Sequence, residues 1–126
     1  MHFSLVKIAP EGRVSANSFD DVILPLYFAL RRLGYSVDIR HGDFRPGSVN
    51  IFFGSCQAPL CLDDPPVPSN SVVFNLEQLA VPGGLWNSQK YIDYQLRRFP
   101  VWDYSQRNAA YLRDEHGIES TFVRLG

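Results

Sequence analysis

Cysteine and histidine are scarce in this 126-residue chain, which holds two cysteines, Cys56 and Cys61, and three histidines, His2, His41 and His116. Two cysteines build no disulfide framework, and a C-x4-C pair without a partner Cys or His nearby lacks zinc-ligand spacing. The histidines lie far apart, so no metal site is expected. Charge of one sign is also lacking: 12 Lys+Arg against 13 Asp+Glu leaves a net charge of −1. That balance gives no electrostatic footprint for nucleic acid or an anionic membrane. No apolar run approaches the roughly 20 residues that span a bilayer. The N-terminus enters an apolar strand-like run directly, without the basic region and cleavage site of a signal peptide. The expectation is a reduced, cytoplasmic protein.

Four sequence signatures of α/β proteins are missing as well. The loop after the first strand, Glu11 to Ser18, contains Gly12 alone, so neither G-x-G-x-x-G nor G-x-x-x-x-G-K-[ST] is present. Without those glycines, backbone N–H groups cannot close on a phosphate, which disfavours a dinucleotide or P-loop role. No G-x-S-x-G nucleophile elbow occurs. The third strand ends in Gly54-Ser55, where a response-regulator receiver would carry a phosphoacceptor Asp.

What is present reads as one ordinary globular domain over residues 1–126, with 45% apolar and 20% charged residues. Strand-like runs cover Phe3 to Ala9, Tyr35 to Ile39, Val49 to Gly54, Ser71 to Asn75, Val101 to Asp103 and Glu119 to Leu125. Helical spacing of Phe19, Val22, Ile23, Leu26, Tyr27, Leu30 and Leu33 predicts a first helix. Ser18 with Asp21 resembles its capping box, Pro25 should kink it, and Gly34 should end it. Further helices are predicted from Ser88 to Phe99 and from Ser105 to Glu115, with Gly117 as terminator. Arg31-Arg32 and Arg97-Arg98 fall near helix ends, where cations suit the helix dipole. Ala58 to Ser69, with four of the nine prolines, reads as a long surface loop, and Leu85-Trp86 sits in a Gly-rich turn. Alternating β and α segments imply a Rossmann-like α/β domain: a mostly parallel sheet of about six strands with helices on both faces.

Two polar constellations stand at strand ends: Asn75-Leu76-Glu77-Gln78 after the fourth strand, and Trp102-Asp103-Tyr104-Ser105 with Asn108 after the fifth. Adjacent parallel strands would bring them together at the carboxyl edge of the sheet, where open α/β sheets place ligands. Asn17-Ser18 after the first strand is a third candidate contribution. Carboxylates, amides and a hydroxyl around a Trp and a Tyr suit a sugar, whose hydroxyls need donors and acceptors and whose ring faces need an aromatic surface. The same residues also have a purely structural reading, with Asn75 and Glu77 satisfying loop backbone and Asp103 or Ser105 capping a helix.

The ordered set Asn75-Leu76-Glu77-Gln78, Val101-Trp102-Asp103-Tyr104-Ser105-x-x-Asn108 and Val123-Arg124-Leu125-Gly126 resembles the N-terminal half of bacterial GT-B-type glycosyltransferases of surface-polysaccharide synthesis. The resemblance covers roughly residues 50 to 126. It departs from the family where Arg124 replaces a Pro, and where the sequence stops at the point a donor domain would begin. The resemblance implies an acceptor-side domain, with a nucleotide-sugar donor held on a second domain and no cofactor in this chain itself. By that likeness Glu77 or Asp103 is the general-base candidate, because the attacking hydroxyl must lose a proton. Asn17, Ser18, Asn75, Gln78, Trp102, Tyr104, Ser105 and Asn108 are the substrate-binding candidates. The expected partner is a glycan or small-molecule acceptor, together with a donor domain or a homodimer partner. Alone, the domain is not expected to turn over. The alternative is a non-catalytic glycosyltransferase-like module for protein interaction or regulation, with the loop 58–69 or Leu85-Trp86 as contact surface.

Overall fold

The computed structural model describes residues 1–8, 19–54, 67–79 and 91–124. Among these residues, six strands form one sheet: β1 (His2–Lys7), β2 (Ser36–His41), β3 (Val49–Phe53), β4 (Val72–Asn75), β5 (Val101–Asp103) and β6 (Ser120–Phe122). Their order is β2-β1-β3-β4-β5-β6, and every neighbouring pair is parallel. Among the described residues, two α-helices, α1 (Asp20–Arg32) and α2 (Gln106–His116), and a π-helical turn (Ile92–Leu96) pack against it. The chain is thus a small Rossmann-like α/β fold.

Because side chains alternate across a strand, the continuous apolar runs divide between two cores. Leu5, Ile51, Phe53 and Phe74 face α1 and meet Ile23 and Leu30. Their neighbours Val6, Phe52, Val73 and Val101 face the other way and meet Ile92, Leu96 and Leu112. Strands buried on both sides need apolar residues at successive positions, which is why β3 and β4 show no polar alternation. The crossover from β2 to β3 is only residues 42–48. It covers the second face with Phe44, whose ring meets Phe52 edge-on at 5.7 Å. Asn50, fully buried, holds this crossover by accepting from Arg45 N at 2.9 Å and donating to Arg45 O at 3.0 Å.

Several boundaries differ from the sequence expectation. The closing strand spans Ser120–Phe122 alone, because its one neighbour, β5, is three residues long and pairs residue for residue with it. Within the span predicted as a helix up to Phe99, the described turn is π-helical, with Arg97 N donating to Ile92 O at 2.8 Å. Its predicted start at Ser88 lies outside the described residues. Helix α1 runs through Pro25 to Arg32, and Phe19 occupies its N-cap position without a side-chain bond; Ser18 lies outside the described residues. The helix ends as expected at Gly34, whose φ of 94° lets Gly34 N reach Arg31 O and Tyr35 N reach Leu30 O.

Candidate functional site at the carboxyl edge

Strands β4 and β5 are neighbours in a register that pairs Asn75 with Asp103, so the two motifs meet at the carboxyl edge. Both residues are fully buried. One Asp103 oxygen accepts from Asn75 Nδ2 at 2.9 Å; the other accepts from Ser105 N at 3.0 Å and Asn108 Nδ2 at 3.1 Å. Asn75 Oδ1 accepts from the Tyr91 hydroxyl at 2.8 Å and from Glu77 N at 3.3 Å. The carbonyl of Glu77 accepts from both amides, Asn75 Nδ2 at 3.0 Å and Asn108 Nδ2 at 2.7 Å. Asn108 Oδ1 in turn accepts from Leu79 N at 3.0 Å.

This is a closed network that splices the loop after β4 to the first turn of α2. Ser105 caps that helix in extended conformation, accepting from Asn108 N at 3.2 Å. Burial raises the Asp103 pKa above the ordinary carboxylate value, even though hydrogen bonds from Asn75, Ser105 N and Asn108 oppose the rise. All the donors to Asp103 are neutral, so none offers the full charge that would offset desolvation.

The motif residues therefore sort by direction. Asn75, Asp103 and Asn108 point into the network and Ser105 into the helix cap. Gln78 is exposed, while Glu77, Trp102 and Tyr104 are half-buried. Trp102 and Tyr104 lie on the α1 face, where Trp102 meets Phe74 edge-on at 6.2 Å. The Tyr104 phenol is raised by burial and then by the negative charges of Asp103 and Glu77, which places Glu77 and Tyr104 within electrostatic reach of each other. Asn17, Ser18, Leu85, Trp86, Cys56, Cys61 and loop residues 58–66 lie outside the described residues. Among the described residues, no cluster of three His, Cys, Asp or Glu is placed to hold a metal, and no helix is long and apolar enough to cross a membrane.

Strand order reverses direction between β1 and β3, one strand away from the β4–β5 site. Two residues there were given no site role in the sequence. Lys7 at the end of β1 is buried and forms an ion pair with Asp20 at the start of α1. Gly54, with φ 83°, abuts Ile8 and Phe19; a Cβ built on it would collide with the Ile8 carbonyl and the Phe19 ring. A lysine interrupting an apolar strand was the available signal for the first, and a glycine closing one for the second.

A second polar cluster surrounds Asp38 toward the amino end of the sheet. Asp38 accepts from Ser4 Oγ at 2.5 Å and from Arg40 Nη1 at 3.1 Å, and lies 2.9 Å from His2 Nε2. Burial works against its ionisation, but the bonds from Ser4, His2 and Arg40 and the charge of His2 prevail and hold it at about 2.

On the α1 face, an apolar groove of about 310 Å³ runs between α1 and the sheet, floored by Phe74 and closed by Val123 and Arg124. No family model, curated protein or solved structure matches this chain.

Proposed function

We propose that this chain is the acceptor-side half of a glycosyltransferase-like protein, in which Glu77 is the general base. The carrying observation is the sorting of the motif residues. The buried Asn75–Asp103–Asn108 network fixes the Glu77 backbone from two sides, while the side chains of Glu77, Gln78 and Tyr104 keep accessible surface. Of the two carboxylates suggested by the motif, Asp103 is sealed from any acceptor and works as a positioning residue. Glu77 would take the proton of an acceptor hydroxyl as its oxygen bonds to the anomeric carbon. The bond from that carbon to the nucleotide phosphate breaks, and the nucleotide leaves with the electron pair. Tyr104 supplies ring surface and a hydroxyl for the acceptor, and Gln78 an amide. The nucleotide sugar would sit on a second α/β domain.

Amide-detected NMR with a panel of oligosaccharide acceptors tests this reading. Acceptors should shift residues 76–78 and 104, and Tyr104→Ala should weaken binding about tenfold by removing the aromatic surface. Glu77→Gln should keep acceptor binding and, with a donor domain supplied, stop transfer. If no glycan perturbs these amides, the proposal is wrong. The second reading, a non-catalytic module for protein interaction, draws on the exposed Leu24 and Phe28 of α1. Under it Glu77→Gln is silent.

A further inference from the structure

Residues Val22 to Leu30 of α1 form nine successive uncharged positions, bounded by Asp20-Asp21 before and Arg31-Arg32 after. A helix apolar all the way round is normally buried all the way round. Among the described residues the sheet covers one side: Ile23 and Leu30 are buried against it, while Phe28 is 63% exposed and Leu24 46%. Solvent-facing helix positions normally carry charge, so this ridge calls for a partner.

The pattern along the ridge identifies the partner. Asp21, Pro25, Phe28 and Arg32 are spaced four, three and four residues apart, which aligns them in one row on the outer face of a helix. Reversing that row end for end places acid opposite base and the aromatic ring opposite the proline. The midpoint of the Asp21–Arg32 span is also the midpoint of Pro25–Phe28. An α1 helix lying antiparallel on a second α1 helix therefore meets two Asp21–Arg32 pairs at the ends and two Phe28–Pro25 contacts between them. Pro25 and Ala29 also line the apolar groove beside the helix, and such small residues leave room for an incoming ring. Two-fold interfaces require this self-complementarity, since one patch must fit its own copy.

We propose that the α1 face is a homodimer interface, with two α1 helices antiparallel across a two-fold axis and Phe28 of each copy seated over Pro25 and Ala29 of the other. An interfacial membrane helix is the competing occupant, but such helices carry Lys and Arg along a polar face, and α1 has its arginines only in its last turn.

Sedimentation of the whole chain tests the proposal. Its mass should rise with concentration from 14.3 kDa toward twice that value. Phe28→Glu should weaken dimerisation by about a hundredfold, because each dimer carries the change twice, with an unchanged circular dichroism spectrum. Asp21→Arg alone and Arg32→Asp alone should each weaken self-association several-fold, while an equimolar mixture of the two restores it, since every end pair is again opposite in sign. A single 14.3 kDa species at all concentrations overturns the proposal. So does a dimer indifferent to Phe28→Glu, or one that the charge-swapped mixture does not restore. A monomer whose Phe28 drives binding to lipid vesicles overturns it in favour of the membrane.

Discussion

Two carboxylates on the same face of this sheet titrate in opposite directions, and the difference lies in what surrounds them. Asp38 faces His2, Arg40 and Arg45 and keeps access to water. Asp103 is fully buried among two asparagine amides and the backbone N–H groups of Tyr104 and Ser105. Both accept several hydrogen bonds, so hydrogen bonding alone does not set the sign. Full positive charge beside partial solvation lowers the pKa at Asp38; neutral donors in a dry site fail to offset desolvation at Asp103. The first arrangement is a surface ion cluster. The second is a structural splice that tolerates the cost of a buried carboxylate because it ties two loops and a helix start together.

Breaking the splice should have the largest effect. Asn75→Ala removes the donor to one Asp103 oxygen, the acceptor for Tyr91 and one of two clamps on Glu77, and should cost about 3 kcal/mol in chemical denaturation. Ser105→Ala removes only the cap on α2 and should cost about 1 kcal/mol by the same measurement. Asp38→Asn should cost about 0.5 kcal/mol at neutral pH, because its partners are partly exposed and screened by salt. If Asp38→Asn proves costlier than Asn75→Ala, the contrast between the two sites is misread.

The pH dependence sharpens the same contrast. Asp38 has its folded pKa depressed, so its contribution is present above the unfolded value of about 3.9 and is lost as pH falls through about 2. Asp103 has its folded pKa raised, so its contribution is fully present below the unfolded value and declines as pH rises through the folded one. Carboxyl-carbon NMR titration should find the two on opposite sides of an ordinary aspartate. Coincident titrations would remove the distinction.

Much of the architecture was legible from the residues. Val101 to Asp103 is the β5 strand that its apolar run before a polar turn suggested, and Ser105 caps α2 as its spacing implied. Gly34 and Gly117 take positive φ where the helices stop. The pairing of the two motifs at one sheet edge also followed, given parallel order. Less legible was the direction of each side chain. In the sequence, Asn75, Glu77, Asp103 and Asn108 are equivalent polar residues near strand ends. The register of β4 against β5 makes three of them buried partners, while Glu77 is half-buried. Phe28 is similar: the helical stripe omits it from the core positions, but nothing in its spacing tells how much of it stays exposed.

By itself, then, the sequence determined the kind of fold, because period-two and period-3.6 apolar patterns are local properties of the chain. It also determined the helix ends, because glycine's missing Cβ and the serine hydroxyl act within one turn. Tertiary structure alone decided which polar residues are sealed in the buried network and which keep accessible surface. Hydrogen-bond partners 28 and 31 residues apart, Asn75 with Asp103 and Glu77 with Asn108, are brought together by strand register. Register is a property of the assembled sheet, which no single segment carries.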